Sequence, residues 1–299
     1  MLMGLLLLTV AVVISFGPDA YVPMLIRSWL PLWLMISVSW LLWIAIKKNW
    51  AATLFGGLAV LLLSFQIPRT ATDSSEALQD QALRIAHLNV LQTNQRKEDV
   101  VLAIRSLEAD VICVQEVDQA WSEALQRELS PIYPYHRIAA RDNCYGIAIF
   151  SRRQFAAIKV FDMHRSPAID AVFEIDDRQL RLIAAHAASP QDPGAFERRN
   201  AQLDALASIV IGSNGPCVVI GDLNATPWDP ALQRACARSN MKSTATITSA
   251  TWPSIFGMAF IPLDHLLVPS SVHVRNQATF HVPGSDHRGM VADIMLGPG

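Results

Sequence analysis

The hydrophobic pattern changes character at about residue 68. Before it stand three apolar runs without a charge, at residues 2–16, 29–46 and 51–67. Gly17-Pro18-Asp19 breaks the first from the second, and Lys47-Lys48-Asn49 makes a tight connector to the third. The second and third are about long enough to cross a bilayer; the first is short. Trp29, Trp33, Trp43 and Trp50 suit anchoring at a water–lipid interface, with Trp40 deeper. The first run lacks a basic leader and a small-x-small site, so it reads as anchor and not as a signal peptide. The expectation is a membrane anchor over 1–67, about three transmembrane helices in a lipid bilayer. Placing Lys47 and Lys48 in the cytoplasm puts residue 69 onward outside, in the periplasm of a bacterial cell, although Arg27 and Arg69 make the bias slight. Residues 68–82 are small and polar and read as a linker.

Beyond residue 82, short apolar runs alternate with helical spacings. Strands are expected at 83–90, 110–117, 133–139, 146–151, 171–175, 179–185, 218–220, 263–268 and 290–295. Residues 171–175 and 179–185 would form a hairpin around Asp176-Asp177. Helices are expected at 95–107, capped by Asn94, from Asp118 through Leu129, and at 193–211.

Composition sharpens this division. The chain is 52% hydrophobic and 17% charged over 299 residues, but the excess lies in the N-terminal block. Residues 1–68 hold one acid and three bases, which leaves 25 acidic and 21 basic residues to 69–299. That mildly acidic balance argues against a broad nucleic-acid-binding face. Four cysteines include no CxxC pair, which disfavours a structural zinc site.

Candidate chemistry sits where the strands stop. Asn89, Glu116, His186, Asp222 with Asn224, Asp264, and Asp286 with His287 each stand at or near an end of an apolar strand. One such group is easily structural, a turn residue satisfying its own backbone. Six independent segments point to one shared site at the edge of packed sheets. Glu116, Asp286 and Asn89 are hard oxygen ligands suited to Mg²⁺ or Mn²⁺. Mg²⁺ takes few carboxylates together with substrate phosphate oxygens, so the set suggests phosphate chemistry. Asp222 is the best candidate base. Asp264 could fix one ring nitrogen of His287 and favour its imidazolium beside a phosphate. No GxSxG, Walker loop, GxGxxG or HExxH is present.

These residues carry a family resemblance. HLNV with Asn89, VICVQEV with Glu116, GIAIFSR, AAHAASP with His186, GDLNATPW, LDHLL and SDHRGMVADI, in this order over about 83–296, resemble the endonuclease/exonuclease/phosphatase superfamily of DNase I-like fold. The membrane-anchored layout is similar to that of its bacterial members. The resemblance implies a four-layer α/β/β/α sandwich over 83–299 and divalent-metal-dependent hydrolysis of a phosphate ester by in-line attack of water. It implies a metal region at Asn89, Glu116 and Asp286. His186 and Asn224 would contact the phosphate, Asp222 would orient or deprotonate the water, and Asp264 would support a phosphate-stabilising His287. A nucleic-acid or phospholipid substrate fits equally. The alternative is a silent binding or sensory module on the same fold. Among secondary residues, His87 shares the face of Asn89, His265 should point away, and Tyr145 is expected to pack. Arg141, Arg152 and Arg165 are expected to be solvated. Trp252, Phe256, Met258, Phe260 and Ile261 are apolar residues near the site, for which core packing is the preferred reading.

Overall fold

The computed structural model describes residues 1–68, 82–175 and 177–297. The expected linker falls mostly outside these residues, as does Asp176 of the hairpin turn. Residues from 82 onward build two six-stranded sheets. The first runs β11 (Val272–His281), β12 (Arg288–Leu296), β1 (Leu83–Asn89), β2 (Val111–Gln115), β4 (Ile147–Ser151), β3 (Tyr135–Ala139). The second runs β5 (Ala157–Met163), β6 (Ser166–Ile175), β7 (Arg178–Ala184), β8 (Cys217–Asp222), β10 (Asp264–Pro269), β9 (Met241–Ser243). Each has one parallel pair near its middle, β1–β2 and β7–β8; the other pairs are antiparallel.

Three apolar layers follow from strand alternation. Ile85, Val111, Ile149, Ile169, Phe173, Leu182 and Ile220 fill the space between the sheets. The opposite face of the first sheet, with Leu88, Val114 and Phe150, packs on α5 (Lys97–Ser106) and α6 (Gln119–Leu129). The outer face of the second sheet, with Ile183 and Val219, packs on α7 (Pro193–Ile211) and α8 (Pro230–Ser239). The result is the four-layer α/β/β/α sandwich. Asp118 and Asp192 cap α6 and α7 by accepting from Trp121 N and Ala195 N, each at 2.8 Å. Asn94 does not cap α5. Its amide nitrogen donates to Val90 O and Pro283 O at 3.0 and 2.8 Å, tying two loops near the site.

Three strands escape the sequence pattern: β5, β9 and β11. All are edge strands, and β5 and β11 lie largely half-exposed or exposed, so they lack the apolar run that marks a buried strand.

The N-terminal block folds as α1 (Leu2–Phe16), α2 (Tyr21–Ser28), α3 (Leu30–Ile46) and α4 (Trp50–Phe65). Among the described residues no single helix is long and apolar enough to cross a membrane. The α1–α2 pair passes by length and composition only, and is bent by 113°. The reason is geometric: α3, with 17 residues, extends about 26 Å against a hydrocarbon core of about 30 Å. The helices are not an isolated anchor. The Arg27 guanidinium donates to Ile14 O and Gly17 O at 3.0 and 2.9 Å, satisfying carbonyls at the end of α1. The Trp228 indole donates to Arg27 O at 2.8 Å and is buried among Leu7, Ala11, Ile14 and Leu63. Arg234 pairs with Asp19, and Tyr21 donates to Gln191 O at 2.7 Å. The α1–α2 corner is thus seated on the sandwich.

Candidate active site

The parallel pairs deliver their C-terminal ends to one edge of the sandwich. β1 ends in Asn89, β2 leads to Glu116, β7 leads to His186 and β8 ends in Asp222. Asp222 and Asp264 stand directly opposite in the β8–β10 register. Two buried carboxylates placed so repel one another unless a cation lies between them. His287 supplies it. Its Nδ1 lies 2.9 Å from Asp264 Oδ2, and its Nε2 lies 3.5 Å from Asp222 Oδ2.

The charges follow from this geometry. Burial alone would depress the His287 imidazole, but Asp264 and then Asp222 outweigh it and push the group up to about 10. Burial would raise Asp264, yet the charge and hydrogen bond of His287, with those of His87, hold it well below the usual carboxylate range. Asp222 is pushed up to about 8 by burial, opposed by His287. The carboxyl is thus largely protonated at neutral pH and becomes available as a general base once it ionises near pH 8. His186 is pushed down to about 3, first by burial and then by His287, and so is neutral at pH 7. Its Nε2 lies 3.5 Å from Asn224 Nδ2 and 3.7 Å from Asp222 Oδ2.

Asn224 adopts φ +48°, with its backbone N–H donating to Asp222 Oδ1 at 2.9 Å and its amide to Ala187 O at 3.0 Å. Asn89 uses its amide nitrogen to join two carboxylates, Glu116 Oε1 at 2.9 Å and Asp222 Oδ2 at 3.4 Å, while its oxygen accepts from Leu91 N. Glu116 also accepts from Gln92 N at 2.9 Å and is only partly buried. Asp286 precedes His287 in the chain, and its Oδ2 accepts from the Trp252 indole at 3.0 Å.

Two carboxylate groupings bear on a metal. Asp222, Asp264 and His287 offer ligand atoms within 4.8 Å of one another. Asp264, however, has both oxygens committed to imidazole nitrogens, so this trio works as a charge network. Glu116, whose oxygens each accept a single N–H, is the freer hard ligand. It is the carboxylate of this edge that fits a hard divalent cation.

Several supporting residues carry no sequence signal. Gln115 donates to Ala185 O in the other sheet and accepts from Asp222 N at 2.9 Å. The same spot explains Gly221, at φ +149°: a Cβ there would strike Ala185 O and Gln115 Nε2. Ser285 accepts from His287 N at 3.0 Å and donates to Asn89 O at 2.8 Å, sewing the histidine loop to β1. Thr251 Oγ1 accepts from Leu263 N and Asp264 N. His87 does not line the site. It lies behind it, with Nε2 2.6 Å from Asp264 Oδ1. His265 turns away to Ala225 O and Ser243 Oγ, each at 2.7 Å. Tyr145 reaches the rim, its ring centroid 5.6 Å from that of His186. Arg152 lies over the Tyr133 ring, and Arg141 and Arg165 are exposed.

Acid, amide and histidine groups thus converge on one edge of a two-sheet sandwich. The profile of the Endonuclease/Exonuclease/phosphatase family matches residues 85–287, and the chain belongs to that family. Similar solved structures include D. rerio TDP2 complexed with single-strand DNA product (16% identity, 72% of this chain and 100% of that one, TM-score 0.61). The human Nocturnin catalytic domain with bound sulfate is also similar (21%, 73% and 96%, TM-score 0.55). So is sphingomyelinase C from Streptomyces griseocarneus (16%, 71% and 99%, TM-score 0.52). No curated protein matches this chain in sequence.

Proposed function

We propose that this chain is a membrane-tethered, divalent-metal-dependent phosphodiesterase. The observation that carries the reading is the continuous line Asp222–His287–Asp264–His87, a buried base beside an imidazolium whose other nitrogen is held by a second carboxylate. Asp222 Oδ2 takes the proton of an attacking water. The water oxygen forms its bond to phosphorus as one ester P–O bond breaks, and the leaving alkoxide takes a proton from solvent. The products are a phosphomonoester and an alcohol. His287 donates a charge-assisted hydrogen bond to the phosphate as negative charge develops. His186 and Asn224 orient it as neutral donors. Glu116, Asn89 and Asp286 would hold Mg²⁺ or Mn²⁺, which when bound supplies charge neutralisation at the phosphate.

The full chain in detergent or nanodiscs should hydrolyse at least one of bis-p-nitrophenyl phosphate, plasmid DNA and phospholipid with Mg²⁺ or Mn²⁺, and lose this turnover in EDTA. Absence of metal-dependent turnover on every substrate would favour the silent-module alternative and sink the enzyme reading. The D. rerio TDP2 structure holds a DNA product and another similar structure is a sphingomyelinase, which supports both nucleic acid and lipid as substrate classes.

The tether reading rests on the apolar surface of α1, α3 and α4, which leaves Leu5, Leu6, Met35, Leu42, Leu54 and Leu61 exposed. We place the catalytic domain on the periplasmic side of a bacterial inner membrane. Protease added to intact spheroplasts should then degrade it; protection until lysis reverses the orientation.

A further inference from the structure

Residues 252–261 form a short hairpin, with Trp252 paired to Ile261 and Ile255 to Met258. It closes on a two-residue turn, Phe256-Gly257, at φ +50° and +79°. Such a turn favours Asn-Gly, because a bulky side chain at positive φ is strained. Water also disfavours a large apolar group at an exposed tip. The chain nevertheless puts phenylalanine there, 98% exposed, flanked by Met258 at 63%, Ile255 at 47% and Phe260 at 43%. The core packing expected for these three of the five sequence-marked residues, Phe256, Met258 and Phe260, is therefore absent; only Ile261 is buried, with Trp252 half-buried.

The hairpin is fixed to the catalytic loop. Ser254 N donates to Asp286 O at 2.7 Å, and Trp252 Nε1 to Asp286 Oδ2 at 3.0 Å. Arg288 donates from its backbone to Thr251 O and from its guanidinium to Gly257 O, at 2.8 and 2.7 Å. The residue between Asp286 and Arg288 is His287. The base of the hairpin also meets the N-terminal helices, where the Trp252 ring lies 6.4 Å from that of Trp29. Trp29 immediately precedes α3, whose outer side exposes Leu32, Met35, Ile36 and Leu42. A tryptophan at the head of an apolar helix marks the water–lipid boundary when that helix enters a bilayer. The apolar tip, the catalytic loop and the apolar helices are thus joined through one pair of tryptophans.

We propose that the 252–261 hairpin seats in the surface of the bilayer that receives the N-terminal helices, and that the substrate is a phosphodiester lipid drawn from that surface. This rests on the phosphodiesterase reading. It adds that water attacks a lipid phosphorus, breaking one of its two P–O ester bonds to give a phosphomonoester and an alcohol. A long polyanion gains nothing from an apolar rim, and the acidic balance of residues 69–299 offers it little attraction.

The test uses the full chain in phosphatidylcholine/phosphatidylglycerol vesicles and compares the wild type with a Phe256→Ser, Met258→Ser double variant. Both side chains are exposed, so folding should be unaffected. The variant should hydrolyse vesicle lipid at least about tenfold more slowly, with turnover of soluble bis-p-nitrophenyl phosphate unchanged. Equal lipid turnover by the two proteins overturns the hairpin's role. A wild type that cleaves plasmid DNA or bis-p-nitrophenyl phosphate but no vesicle lipid overturns the substrate class while leaving the phosphodiesterase intact. A variant that changes only in oligomeric mass shows a contact between copies instead. Failure of the wild type on every substrate counts against the phosphodiesterase reading itself.

Discussion

Asp222→Asn should lower kcat by about 10³- to 10⁴-fold, with KM nearly unchanged, because an amide cannot take the water's proton. The substitution is almost isosteric. The Asn224 N–H bond to Oδ1 can persist, so a circular-dichroism melt should show a folded protein. A second readout separates base loss from general damage. In the wild type, kcat/KM should rise as Asp222 deprotonates near pH 8 and fall as His287 loses its proton near pH 10. The variant should lose the acid limb and keep the residual alkaline one. A variant retaining more than a tenth of wild-type kcat, with both limbs intact, would remove Asp222 from the role of base.

Asp264→Asn has the second large effect, and it acts through His287 without touching the reaction. The Asp264 carboxylate is bonded to imidazoles on both oxygens, at 2.6 and 2.9 Å. Replacing it leaves His287 without the charge that chiefly counters its burial. The imidazole should lose its proton near or below neutrality, and kcat should fall about 10³-fold. The alkaline limb should move down from about pH 10 accordingly. Stability should fall as well, by about 3–5 kcal/mol, the usual cost of removing one partner from a buried ion pair. The sign of the wild-type pH dependence follows from His287. Its folded value lies above the ordinary 6.5, so its contribution is complete below about pH 6.5 and is lost as pH rises through about 10. Wild-type Tm should decline across that alkaline range, and the decline should flatten in Asp264→Asn. A variant within threefold of wild-type kcat and with an unmoved alkaline limb would make Asp264 merely structural.

The sandwich was legible in the sequence wherever strands are buried on both faces. Residues such as 111–114 and 217–220 must be apolar throughout because both sides meet protein. Three of the four edge strands were not legible, since β5, β9 and β11 need satisfy only one neighbour and tolerate polar residues; β3 was expected at 133–139. Asn89, Glu116, His186, Asp222, Asn224, Asp264 and His287 could be picked out because a polar group ending an apolar strand is costly without a use. Gln115, Thr251 and Ser285 could not. Their hydrogen bonds reach partners 107, 13 and 196 residues away, and nothing in local spacing encodes them.

Trp228 marks the boundary between the two kinds of knowledge. In the sequence it only follows the turn after Asp222 and Asn224, a residue that helps end a strand. In the folded protein its indole is buried under α1 and bonded to Arg27 O, 201 positions earlier. The sequence by itself determined which segments must be buried, because apolar periodicity is a local property, and which polar groups stand at their ends. The tertiary structure alone decided that Asp264 lies between two histidines, that the apolar residues at 255–260 face water, and that the N-terminal helices rest on the catalytic sandwich. Each is a pairing between distant parts of the chain, set by how the sheets stack and not by any residue's neighbours in sequence.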